Sequence, residues 1–339
     1  NTSGNATMVG LAGIDTFTAT AGALTISDLG AGGLVDIVDL NGGTVIATTT
    51  GAWTASSATD NAQATASFTI NVASAGAVDL TSAGTSVGGY TVLSTGTSAV
   101  TGSDDADALT NTSGNATMVG LAGIDTFTAT AGALTISDLG VGNAADVVTV
   151  AAGATAITTI TGNWTATSAT RNQGSEAADF TIAAASTHIL DLTSATAGAA
   201  EGYSITSTGT GAITGSSGND IIVDSSGVQD IKGLAGDDAI TLTAGVDSTL
   251  VLSATTTGGI DTITAFTTTD HTIDILASGV AGSAGANLGA GNYVENAIGS
   301  IAQGTAFDVM VLTGASYATV ALAEDQVAAR MTSATKGYV

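Results

Sequence analysis

The chain of 339 residues contains no cysteine and no proline. Without cysteine it has neither a disulfide nor a thiolate site for zinc or an iron–sulfur cluster. A secreted chain built this way needs another staple, and a bound metal is the usual one. Aromatic residues make up only 4% and charged residues only 10%, against a usual charged share of about 25%. Positive charge is almost missing: Lys and Arg number 4 against 29 Asp and Glu, for a net charge of −25. Four cations cannot neutralise a phosphate backbone, which excludes nucleic acid as a partner, and they give no hold on an anionic membrane surface. Long apolar runs are missing too. The uncharged stretch 277–294 is rich in Gly, Ala and Ser and too polar to span a bilayer, so no membrane insertion is expected.

What is present is small and β-branched. The chain is 44% hydrophobic, enough for a real core, and 46 residues are Gly. Its acids are 25 Asp and only four Glu (Glu176, Glu201, Glu295 and Glu324). Short carboxylates placed at turns suit Ca²⁺, a hard cation that prefers oxygen ligands, and calcium is the expected cofactor.

The sequence repeats itself. Residues 1–30 return without a change at 111–140. Beyond these blocks Trp53 matches Trp164, Asp79 matches Asp191, and 88–103 matches 201–216, the offset growing from 110 to 113 residues. A looser third copy follows, in which 214–245 aligns with 101–132. The division is therefore into unit 1 (1–110), unit 2 (111–213), and unit 3 with a C-terminal cap (214–339). From the order of segments inside the units, residue 1 is expected to lie within a longer repeat array. Runs such as "ALTISDL", "TASFTINV" and "YTVLST" alternate apolar and polar residues and are punctuated by Gly, Asn, Asp and Ser, as strands separated by turns. Short helices are expected only at 293–302 and 318–330. Thr, Val, Ile and Ala stack well where coils lie about 4.8 Å apart, whereas sandwich cores use more large aromatics. The expected fold class is all-β, with parallel β-solenoid or β-roll segments in repeats of about 110 residues; tandem β-sandwich modules are the alternative.

One turn recurs, with the pattern Gly-x-x-Gly-x-Asp-x-apolar. It stands at Gly10, Gly13 and Asp15, at Gly120, Gly123 and Asp125, at Gly215, Gly218 and Asp220, and at Gly233, Gly236 and Asp238. Degenerate forms carry Asp105 and Asp107 after Gly102, and Gly259 with Asp261. Glycine permits left-handed backbone angles that aim carbonyls inward, the Asp adds a carboxylate, and the apolar residue begins a strand. Stacked turns of this kind would form an oxygen cage for Ca²⁺. These residues are the candidate metal ligands.

The turns resemble the RTX nonapeptide family, whose Gly-Gly-x-Gly-x-Asp-x-apolar-x repeats form calcium-loaded β-rolls. In the GLAG turns Leu11, Leu121 and Leu234 replace a family Gly, and Ile14 and Ile124 stand where Asn or Asp is usual. The likeness implies export by type I secretion through an uncleaved C-terminal signal. Within that family the composition is most similar to bacterial surface-layer proteins, which assemble as calcium-dependent lattices. The resemblance thus implies a secreted structural protein of the bacterial cell surface whose main partner is itself, in a lattice or filament, with cell-surface polysaccharide as a further candidate partner. Stalk repeats of an RTX-type adhesin are the alternative. Ice binding is less favoured because the Thr pairs are irregular in sequence, as is an enzyme tail.

An enzyme is not expected. Gly84-Thr-Ser-Val-Gly88 has the letters of a nucleophile elbow, but the chain has only His188 and His271 to serve as a base, and the matching stretch of unit 2 lacks the Ser. The fingerprint-like 140–145 leads into a strand pattern rather than a helix, and there is no HExxH. Trp53 and Trp164, at equivalent places, are expected to plug each unit rather than to form a sugar platform.

Overall fold

In a computed structural model the chain winds into a β-solenoid of about 11 turns with roughly 21 residues per turn and almost no helix. The residues described are 1–276, except 34, 64–66, 74, 85–86, 198–200, 226–229, 254–260 and 267–269, together with the strand pair 293–297 and 309–313. Every strand pairing among them is parallel. The sandwich alternative therefore falls: sandwiches are built from antiparallel sheets. The expected helix at 293–302 is corrected as well, since Tyr293–Ala297 is a strand paired with Val309–Thr313; the expected helix at 318–330 lies outside the described residues.

Four sheets wall the solenoid, besides the separate two-stranded sheet of 293–297 and 309–313. A first sheet of ten strands runs from Asn5–Met8 to Thr196–Ala197. A second, of eleven strands, runs from Trp53–Thr54 to Thr262–Thr264. A third, of six strands, runs from Trp164–Thr165 to His271–Leu276, and a short sheet of three strands runs from Thr16–Ala19 to Asp60–Asn61. The alternation seen in the sequence places one side of each strand in the core. On the first sheet Ile26, Ala47, Ile70, Val92, Leu109, Phe127 and Val148 lie in register, one per coil, and all are buried. The second sheet answers with a row that includes Val100, Met118, Ile136, Ile182, Ile205 and Ile222. Stacking like on like fills the core without large side chains, which explains how so few aromatics suffice.

The cross-section alternates. Where coils are long, three walls enclose the core; Trp53 and Trp164 each open a new wall and are fully buried. Each indole N–H donates to a backbone carbonyl, that of Asp36 or of Asp146, at 3.0 Å. Beside them Phe68 meets Tyr90 edge-on at 5.5 Å, and Phe180 meets Tyr203 at 5.3 Å. Where the Gly-Asp turns lie, the coil shortens: Leu109 pairs with Phe127, eighteen residues on, with one second-sheet strand between them. Only two walls remain at these waists.

The identical blocks meet different walls. Residues 5–8 and 23–29 of the first block belong to the first sheet. Their twins 115–119 and 132–139 belong to the second. The unit is therefore half a coil longer than a whole number of coils, and both long sheets run on through the boundary between units 1 and 2: 108–113 pairs directly with 126–129, and 98–101 with 115–119.

Candidate functional site: the stacked aspartate turns

At the waists the motif aspartates stack one per coil and turn inward. The amide of Tyr90 donates to Asp107 Oδ1 at 2.7 Å, the amide of Asp107 to Asp125 Oδ1 at 2.8 Å, and the amide of Asp125 to Asp146 Oδ1 at 3.0 Å. The second waist repeats the ladder. Tyr203 N–H donates to Asp220 at 2.7 Å, Asp220 N–H to Asp238 at 2.8 Å, and Asp238 N–H to Asp261 at 3.2 Å. In the first block Asp15 N–H donates to Asp36 Oδ1 at 3.1 Å. Each carboxyl group thus clamps the coil before it by accepting a backbone amide, a bond that is strengthened where the group is ionised.

The spacing of the motif follows from this inward turn. At Gly10, Gly120, Gly215 and Gly233 a Cβ would collide with the carboxylate five residues on. The first glycine makes room for its own Asp. The expectation that these glycines supply left-handed angles is not met there: the residue after the first glycine carries them in the GLAG turns, with φ of 68° at Leu11, 74° at Leu121 and 82° at Leu234. In the GLAG turns the second glycine does use its freedom, whereas Gly218 has no positive φ. Gly123 has φ 115°, and a Cβ there would sit 2.7 Å from the Asp105 backbone on the coil before; Gly236 lies likewise against Gly218. Asp105 belongs to this stacking layer, its amide bonded to Ser103 Oγ at 3.2 Å. Gly259 lies outside the described residues.

Burial sets the electrostatics. Asp125 is 1% exposed, and removal from water, reinforced by the charges of Asp107, Asp146 and Asp138 and opposed by the Asp107 amide, pushes its pKa up to about 8. Asp238 rises to about 7, mainly by burial. Asp107 and Asp220 rise to about 6, burial again leading, with hydrogen bonds from Ser103 and Tyr90 or from Ser216 and Tyr203 opposing it.

These contacts decide which turns suit a cation. Asp107 and Asp220 have both oxygens committed: the Ser103 and Ser216 amides donate to them at 2.6 Å and the two hydroxyls add further bonds. Such a carboxylate, ringed by donors, does not fit Ca²⁺, which asks for six to eight oxygens. Asp15 and Asp238 differ, each keeping a buried Oδ2 without a partner. They are the places in the ladder where a buried carboxylate oxygen still has acceptor capacity to spare. No three acidic or imidazole side chains gather into a common metal site among the described residues.

Sequence reasoning missed four members of the site. Asp28 accepts the amides of Gly10 and Leu11 at 3.0 and 2.6 Å, and Asp138 accepts those of Gly120 and Leu121. Asp36 and Asp146 receive the ladder and are held by Gly30 and Gly140 amides at 2.8 and 2.9 Å. Their recurrence at one offset in both units was the available signal. His271 ends in the wall, its Nε2 3.2 Å from the Thr243 carbonyl. No family profile, curated protein or solved structure matches the chain; the fold defines its class as a β-solenoid repeat protein.

Proposed function

We propose that this is a structural, self-assembling surface-layer protein, secreted to the bacterial cell surface and stabilised by Ca²⁺. The observation that carries the reading is the inward aspartate ladder with unmatched oxygens at Asp15 and Asp238. A chain of net charge −25 that buries carboxylates repels itself, and a divalent ion at those oxygens would relieve the repulsion in the native state alone, so stabilising it by mass action. Low calcium inside the cell would leave the chain open for export, and higher calcium outside would close it. Copies then join in a lattice, with cell-surface polysaccharide as the anchor. The test is to strip the protein with a chelator and titrate calcium back, following thermal unfolding and electron micrographs. Melting should rise by several degrees and ordered layers should appear with calcium; equal melting and equal assembly in both states would overturn the reading.

A second reading is favoured by one observation: sheets that cross unit boundaries without a linker suit the stiff stalk of an adhesin. Micrographs separate the two, since a stalk gives single rods and a surface layer gives sheets.

A further inference from the structure

Each of the two long walls carries an outward row with no ionisable side chain, and a set of four positions recurs in both rows. On the first sheet Thr25, Ile46, Thr69 and Thr91 lie in register and face out. Continued through Thr7 at one end and Val147 at the other, the row holds no charge. On the second sheet the row reads Thr135, Ile157, Thr181 and Ser204. It too is uncharged, from Ala77 to Thr262. These sets are repeat equivalents, brought to different walls by the half-coil in the unit. Each set contains one large apolar side chain left in water, Ile46 at 45% exposed and Ile157 at 54%, and Ile221, 41% exposed, lies one coil beyond the second set.

We propose that these rows are the contact between copies of the chain, the first sheet of one lying on the second sheet of the next with Ile46 and Ile157 at its centre. The inference rests on the self-assembling reading. Three arguments select a second copy as the occupant. At a net charge of −25, like chains approach most easily where neither is charged. Ridges spaced at the strand separation of about 4.8 Å fit grooves of that same pitch, which another copy supplies. A chain bearing one row on two walls adds neighbours without end, as a heterologous contact does. The eight-strand row is about 35 Å long and, with its flanks, covers about 400 Å² by strand geometry, half the ~800 Å² per partner of a standard interface. One such contact is weak, and layers are held by many together.

The experiment compares the full chain with Ile46→Asp, Ile157→Asp and the double variant, in calcium, by sedimentation and electron microscopy. Both substituted side chains face solvent, and circular dichroism melts verify the fold. The parent should grow into open layers. In each single variant every contact of first sheet on second sets an Asp against the remaining isoleucine, so both single variants, like the double variant, should remain monomers. Mixing Ile157→Asp with Ile46→Lys should restore growth. Variants that build layers like the parent would overturn the contact while leaving self-assembly standing. A parent that stays monomeric and instead sediments with polysaccharide or concentrates on ice would overturn both.

Discussion

Residues 1–30 and 111–140 share every letter but not their surroundings. In the second block the coil of 88–110 lies against the strands, so Ala116, Met118, Gly120 and Asp125 are buried; Ala6, Met8, Gly10 and Asp15 are half-buried. Gly13, at φ 143°, has nothing within 4 Å of a Cβ, whereas Gly123 is pressed against Asp105. Identical sequence has taken closely similar backbone, down to the left-handed leucines. Burial, charge and tolerance to change are set instead by the coil that stacks on it.

The largest effect should separate the two second glycines. Gly123→Ala meets both a forbidden angle and the Asp105 backbone, so it should cost about 3 kcal/mol or more; Gly13→Ala meets the angle alone and should cost about 1–2 kcal/mol. Chemical denaturation of both variants measures the gap. Next comes the core pair: Met118→Ala should lose about 2–5 kcal/mol, with Met8→Ala well below it. Equal losses would show that the coil of 88–110 does not shield the second block.

The pH profile sharpens the same contrast. The folded pKa of Asp125, about 8, lies above its ordinary 3.8. The native state therefore holds its proton more tightly than the unfolded chain does. The associated stability is fully present below the ordinary pKa, is lost as pH rises towards 8, and is absent above. In chelated buffer the melting temperature should fall steadily from pH 4 to pH 8. Asp125→Asn, which keeps an acceptor for the Asp107 amide, should flatten the fall and raise melting at pH 8 by several degrees. The smallest effect concerns Thr158, fully buried with an unpartnered hydroxyl in a row of isoleucines and valines. Its repeat equivalent on the first sheet is Ala47, which has no polar atom to satisfy. Thr158→Val should gain about 1 kcal/mol.

Much of the fold was legible because its cause is local. Thr and Ile alternation marked the strands, Gly and Asp marked the turns, and scarce aromatics pointed to stacked coils. The waist ladder was less legible because its partners depend on coil length. Asp107 reaches Asp125 over eighteen residues, but Asp125 reaches Asp146 over twenty-one, and no fixed period connects them. The sequence also could not reveal that motif carboxylates spend their oxygens on backbone amides, since a cation and an N–H demand the same residue type. At 293–297 "YVENA" offered no clear alternation, and pairing with 309–313 decides it as strand.

The half-coil has a genetic consequence. Recombination between two stretches encoding the same thirty residues would remove or add one unit cleanly at the seam, because the shared segment already fits either wall. The rod could thus lengthen or shorten by whole units during evolution without a misfolded joint, each event swinging everything beyond the splice to the other side.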